Sequence, residues 1–140
     1  SAGAAGLTIG LELAPGSLHV EGDVFALSRV CRNLVMNAIE ATAPNGRVTI
    51  GTAAADGRAT LRVSDTGCGI PADRIDTMFE DFNTTKRQGL GLGLAITKKI
   101  VDQSGGTISA TSQVGVGTTF VVSLAQAPAP AADFRGEAVN

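Results

Sequence analysis

Apolar residues alternate with polar or small ones from Leu7 to Leu13, a period of two that predicts a strand. Pro15-Gly16 predicts a turn, and Leu18-His19-Val20 a short second strand. After Asp23, a residue suited to capping a helix, the period changes. Leu27, Val30, Cys31, Leu34, Val35 and Ala38 recur at three- and four-residue spacing and predict a helix to about Thr42. Pro44-Asn45-Gly46 turns the chain. Arg47–Ala53 and Ala59–Val63 then predict strands joined at Asp56-Gly57, a dipeptide that favours tight hairpins. Pro71–Met78 fits a short helix with proline in its first turn. Residues 80–90 carry no periodicity and read as a mobile loop. Gly91–Gln103 reads as a helix with Leu94, Ile96, Ile100 and Val101 on an apolar side, stopped by Ser104-Gly105-Gly106. Thr107–Ser112 and Thr118–Leu124 predict a last hairpin around Gly115–Gly117. Each element has one apolar face, so the pattern predicts an α+β fold. It is a two-layer α/β sandwich with a mixed, mostly antiparallel sheet against about three helices. The fold is expected to occupy residues 1–125. Residues 126–140, rich in alanine and proline and then polar, read as a linker or tail.

Composition narrows the function classes. The chain has 140 residues, 44% of them hydrophobic and 17% charged, which suits one folded domain with a single core. A net charge of −2 provides no electrostatic footprint for nucleic acid or an anionic membrane. No apolar run approaches the length of a membrane span and no signal peptide is visible, so a cytoplasmic location without membrane contact is expected. Cys31, Cys68 and the single histidine, His19, lack metal-ligand spacing; two reduced thiols are the expectation.

Candidate chemistry gathers in four places. Asn33 and Asn37 lie four apart on the first long helix, which stacks their amides on one side with Arg29 and Glu40. Two amide oxygens suit Mg²⁺, a hard cation; capping or simple solvent exposure is the alternative. Asp65 ends a strand and precedes Thr66-Gly67-Cys68-Gly69. A carboxylate in a pocket accepts from the amino group of adenine and repels the carbonyl of guanine; an Asx-turn is the alternative. The glycines there are expected to let the backbone pass close to a base. Gly89-Leu90-Gly91-Leu92-Gly93-Leu94 opens a helix with free N–H groups for phosphate oxygens, although its spacing is neither that of a dinucleotide fingerprint nor that of a P-loop. A flexible hinge is compatible with that use. Thr84, Thr85, Lys86 and Arg87 precede it, and Lys86 or Arg87 can neutralise a terminal phosphate or remain solvated.

In order, these segments resemble the catalytic ATP-binding domain of bacterial sensor histidine kinases, within the Bergerat-fold family that also includes gyrase-type and chaperone ATPases. The resemblance is carried by Asn33-Leu34-Val35-Met36-Asn37-Ala38, Asp65 to Pro71, Phe79 to Lys86, Gly89 to Leu94 and Gly115 to Phe120, and spans residues 7–124. Asn37 to Ala41 and the Thr-Thr-Lys segment are most similar to the nitrogen- and oxygen-sensing branch. The resemblance implies a Mg-ATP site in which Asn37 ligates Mg²⁺ and Asn33 assists. Asp65 reads adenine, with Thr118 helping through water and Gly67, Gly69 and Ile70 alongside. Thr85 and Lys86 lie at the phosphates, with Lys86 on the γ-phosphate, and Gly89 to Leu94 line the remainder. It also implies a kinase whose phosphoacceptor histidine sits on a separate dimerisation domain, with a response regulator downstream. His19 is in the wrong context for that role, so the chain is expected to bind ATP without phosphorylating itself. Three positions depart from the family pattern: Glu40 where a basic residue is frequent, Asn83 where a phenylalanine is frequent, and Ser104 where a histidine is frequent. Asn33 stands where hydrolysing relatives carry an acid, which disfavours an ATPase. A silent ATP-sensing module and a serine kinase of the same superfamily are the other readings.

Overall fold

The computed structural model describes residues 6–79 and 90–128, with the side chains of residues 90–92 excepted. It contains β1 (Thr8–Glu12), α1 (Val24–Ala41), β2 (Arg47–Ala55), β3 (Arg58–Asp65), α2 (Ala72–Ile75), α3 (Leu90–Gln103), β4 (Thr107–Gln113) and β5 (Gly117–Ala125). One five-stranded sheet has the order β1-β2-β3-β5-β4. β1 runs parallel to β2 and the other neighbours are antiparallel, giving the mixed, mostly antiparallel sheet that the pattern predicts.

The long helices form where the sequence places them, and their ends have local causes. The Asp23 carboxylate accepts the N–H groups of Phe25 at 2.8 Å and Ala26 at 3.3 Å, satisfying donors that the first turn leaves without partners. At the other end Thr42 Oγ1 donates to the Ala38 carbonyl at 2.6 Å, and Asn45 takes a φ of 71° in the turn that follows. α3 closes with a Schellman arrangement. Gly106 N–H donates to the Val101 carbonyl, Gly105 N–H to that of Asp102, and Gly105 takes a φ of 78°.

Val30, Leu34 and Ala38 of α1 and Leu94 and Val101 of α3 pack on Val48, Val63, Phe120 and Val122 of the sheet. All are nearly or wholly removed from water, which is the principal source of stability in a domain of this size. Phe79 meets the Phe120 ring edge-on, with centroids 6.0 Å apart, and anchors the end of the α2 region over the sheet.

Three expectations change. Leu18–Val20 does not form a strand; a single bridge joins Val20 to Gln126, because the sheet ends at Ala125 and gives it no longer partner. The helix expected over Pro71–Met78 is limited to Ala72–Ile75, with turns continuing through Phe79. Cys31 lies off the buried stripe of α1 and is exposed. Beyond β5, Gln126 N–H donates to the Gly57 carbonyl and Ala127 N–H to that of His19.

Candidate functional site

Two loops and two helix faces meet around α1. Asp65 is the last residue of β3 and is only 8% exposed. Its Oδ1 accepts Gly67 N–H at 2.8 Å, and Thr118 is its register partner on β5. Burial dominates, and raises the Asp65 carboxyl above its ordinary value. A group with a raised folded-state pKa contributes stability that is complete below its unfolded pKa, about 3.9, and is lost as pH rises through the folded value. The melting temperature of the native chain is therefore expected to fall relative to Asp65→Asn as pH rises from about 4, and the gap to level off once pH has passed the raised folded value. A gap that stays constant across that range would contradict the assignment.

The glycines after Asp65 close the loop against the protein's own backbone. A Cβ on Gly67 would overlap the Ala41 carbonyl at the end of α1. One on Gly69 would overlap the Gln113 carbonyl and lie 2.7 Å from Val114 Cα in the β4–β5 turn. Gly117 leaves a Cβ no room against the Asp65 carbonyl. The close approach for which glycine is suited is here made to α1 and β4. Cys68, between the two loop glycines, is exposed and accepts Gly115 N–H at its carbonyl.

On α1, Asn33 and Asn37 share a side, as their spacing predicts. The Asn33 amide donates to Thr97 Oγ1 at 3.1 Å and toward the Gly93 carbonyl at 3.4 Å, tying α1 to the first turns of α3. Asn37 Nδ2 is buried and has no hydrogen-bond partner among the described residues. A buried amide without a partner carries a desolvation cost of about 1–3 kcal/mol, so its position is one where a bound group would be favourable. Along one side of α1, then, residue 33 abuts the α3 N-terminal region and residue 41 abuts the Asp65 loop. At 1.5 Å per residue these ends lie about 12 Å apart.

Two contributors were not singled out from the sequence. Thr97 is 0% exposed and receives the Asn33 amide; its signal is a hydroxyl inside the stripe formed by Leu94 and Val101. Ser112 stands at an inward position of β4, two residues beyond Ala110, where alternation calls for an apolar residue. Its Oγ accepts Ile70 N–H at 2.7 Å, donates to the Gly117 carbonyl at 3.0 Å and bonds Thr118 Oγ1 at 2.7 Å. Thr85, Lys86 and Gly89 lie outside the described residues, with Thr84, Arg87 and Asn83. Leu90, Gly91 and Leu92 lie in the first turn of α3, followed by Gly93 and Leu94. Arg29 and Glu40 are exposed on α1.

Known proteins share this architecture. Residues 22–128 match the protein family described as "Histidine kinase-, DNA gyrase B-, and HSP90-like ATPase". The chain is 40% identical over 106 residues to the sensor histidine kinase ZraS of Escherichia coli, covering 76% of this chain and 23% of ZraS. It is 44% identical over 121 residues to the C4-dicarboxylate transport sensor protein DctB of Rhizobium meliloti, covering 85% of this chain and 19% of DctB. Among solved structures, the catalytic domain of histidine kinase ThkA superposes with a TM-score of 0.78 at 34% identity, covering 86% of this chain and 80% of that one. The chain thus spans about a fifth to a quarter of the length of the curated relatives it matches. No helix among the described residues is long and apolar enough to cross a membrane.

Proposed function

Since the chain belongs to the histidine kinase-, DNA gyrase B- and HSP90-like ATPase family, and within it to the catalytic ATP-binding domains of histidine kinases, we propose that it holds Mg-ATP along the asparagine side of α1. From there it donates the γ-phosphoryl group to a histidine on a separate dimerisation domain. What supports this reading is a pair of features along that side: a buried carboxylate, Asp65, held by Gly67 N–H at one end, and midway along it a buried amide nitrogen, Asn37 Nδ2, without a partner among the described residues.

At one end Asp65 accepts from the 6-amino group of adenine, with Thr118 acting through water. Midway along, Asn37 is the protein ligand of Mg²⁺, and at the far end Asn33 keeps α3 in place. The amide oxygen of Asn37 is the ligand type a hard cation takes beside water and phosphate oxygens, and the unpartnered Nδ2, a donor, fits a phosphate oxygen next to that cation. When bound, Mg²⁺ neutralises phosphate charge. The N–H groups from Gly89 to Leu94 receive phosphate oxygens, and Lys86, with Thr85 beside it, approaches the γ-phosphate. The transfer breaks the bond between the γ-phosphorus and the bridging oxygen of ADP. It forms a phosphorus–nitrogen bond to the imidazole, whose N–H proton is lost. This domain contributes position and charge; the nucleophile belongs to the partner domain. A response regulator then receives the phosphoryl group, and the work takes place in the cytoplasm. Hydrolysis is disfavoured because Asn33, an amide engaged with Thr97 and Gly93, has no basic site with which to activate water.

Mixing the chain with Mg-ATP and a separately prepared histidine-bearing domain is expected to leave acid-labile phosphate on the latter. ATP binding without any transfer would favour a sensing module instead. In Asn37→Ala the magnesium-dependent increment of ATP affinity, roughly tenfold for one charge-assisted ligand contact, is expected to disappear. Calorimetry with and without Mg²⁺ measures it, and an unchanged increment would remove Asn37 from the metal site.

A further inference from the structure

The hydroxyl network behind Asp65 has a direction, and that direction bears on which purine the pocket accepts. Ser112 Oγ makes three hydrogen bonds. Ile70 N–H can only donate to it, and the Gly117 carbonyl can only accept from it. A serine hydroxyl has one proton and two lone pairs. For all three bonds to exist together, the Ser112 proton points to Gly117 and its two lone pairs receive Ile70 N–H and the Thr118 hydroxyl proton. Thr118, 5% exposed, therefore has its proton committed to Ser112. Its oxygen retains lone pairs only.

We infer that Ser112 is a specificity-determining positioning residue: by taking the Thr118 proton, it makes Thr118 an obligate acceptor beside an acceptor carboxylate, so that the purine end of the site welcomes a donor and rejects a carbonyl. This rests on the adenine-reading role proposed for Asp65. Ser112 acts through Thr118 and need not touch the nucleotide. Without the serine hydroxyl, Thr118 can rotate and donate, which lowers the barrier against the carbonyl of guanine.

The test compares ATP and GTP affinities, with magnesium, in the native chain, Ser112→Ala and Ser112→Thr. The native chain is expected to prefer ATP. In Ser112→Ala that preference is expected to shrink about fivefold to tenfold, the worth of one neutral hydrogen bond made to the wrong base. Ser112→Thr, which keeps the hydroxyl, should restore it. A purely supporting role would weaken both nucleotides equally; an unchanged ratio in Ser112→Ala therefore overturns the inference. A second measurement needs no nucleotide and no variant. The Thr118 hydroxyl proton, held by Ser112 and shielded from water, is expected to exchange slowly enough for observation by NMR in the native chain. A proton that exchanges at the rate of free threonine overturns the inference by itself. If no purine nucleotide bound at all, the proposed function would fall while the proton measurement still decided the direction of the network.

Discussion

Gly69→Ala is expected to lower the melting temperature by roughly 10–15 °C. Gly69 takes a φ of 79°, a left-handed conformation costing an L side chain about 1–2 kcal/mol. The added Cβ would also overlap the Gln113 carbonyl and press on Val114 Cα. Both obstacles are backbone of a hydrogen-bonded turn, so neither can swing aside as a flexible side chain would. Overpacking of this kind costs a further 1–3 kcal/mol or so. The total, about 3–4 kcal/mol, is a large part of the 5–15 kcal/mol typical of a single domain, and each kcal/mol moves the transition by roughly 3–4 °C at this length. Gly57→Ala is the matched control: its φ is 78°, but a Cβ added there would meet nothing within 4 Å. It should lose only the conformational part, about 5 °C. Equal losses in the two variants would show that the Gly69 loop is not wedged against the β4–β5 turn.

Asp65→Asn is expected to weaken ATP binding about 100-fold and to collapse the preference for ATP over GTP. The carboxylate accepts Gly67 N–H and has lone pairs left for a ligand donor. An asparagine keeps one oxygen, which Gly67 N–H would claim, and presents an NH₂ to a base amino group, donor against donor. Hydrogen bonds to charged groups contribute about 1.5–3 kcal/mol, and the repulsive contact adds to their loss. Toward the guanine carbonyl the same NH₂ is a suitable partner, so the variant should gain GTP while losing ATP. Competition binding with both nucleotides measures the ratio, and an unaltered ratio would remove Asp65 from base recognition. The pH dependence carries the same information. Accepting an amino group favours the ionised carboxyl, so ATP affinity in the native chain should decline as pH falls through the raised pKa of the free protein, and Asp65→Asn should lack that decline.

The sheet order illustrates how sequence and tertiary structure divide the information. Asp56-Gly57 announces the β2–β3 hairpin because positive φ at both positions suits that turn, and Asp56 and Gly57 indeed take φ values of 55° and 78°. Nothing local says that β5 inserts between β3 and β4, or that β1 adds in parallel beside β2. Those pairings join residues far apart in sequence. Ile9 and Leu11 show the cost of reading one strand alone. Their alternation predicts burial, and their register places them on the same face as Val48 and Ile50. Yet they are 51% and 63% exposed, at the edge strand where α1 and α3 leave that face uncovered.

By itself the sequence determined what depends on near neighbours: the periods of α1 and α3, the Asp23 cap, the Gly105-Gly106 stop, and the motif residues whose order carries the family resemblance. A side chain's period and a capping hydroxyl or carboxylate act over a few residues, so they are written locally. Only the tertiary structure decided that Gly67 and Gly69 meet α1 and β4, that the Asn33 amide reaches Thr97, and that Ser112 stands behind Thr118 and Ile70. Apart from the neighbouring Thr118, those partners lie tens of residues from the groups they meet. Hydrogen-bond direction and steric exclusion exist only once folding has brought the atoms into contact.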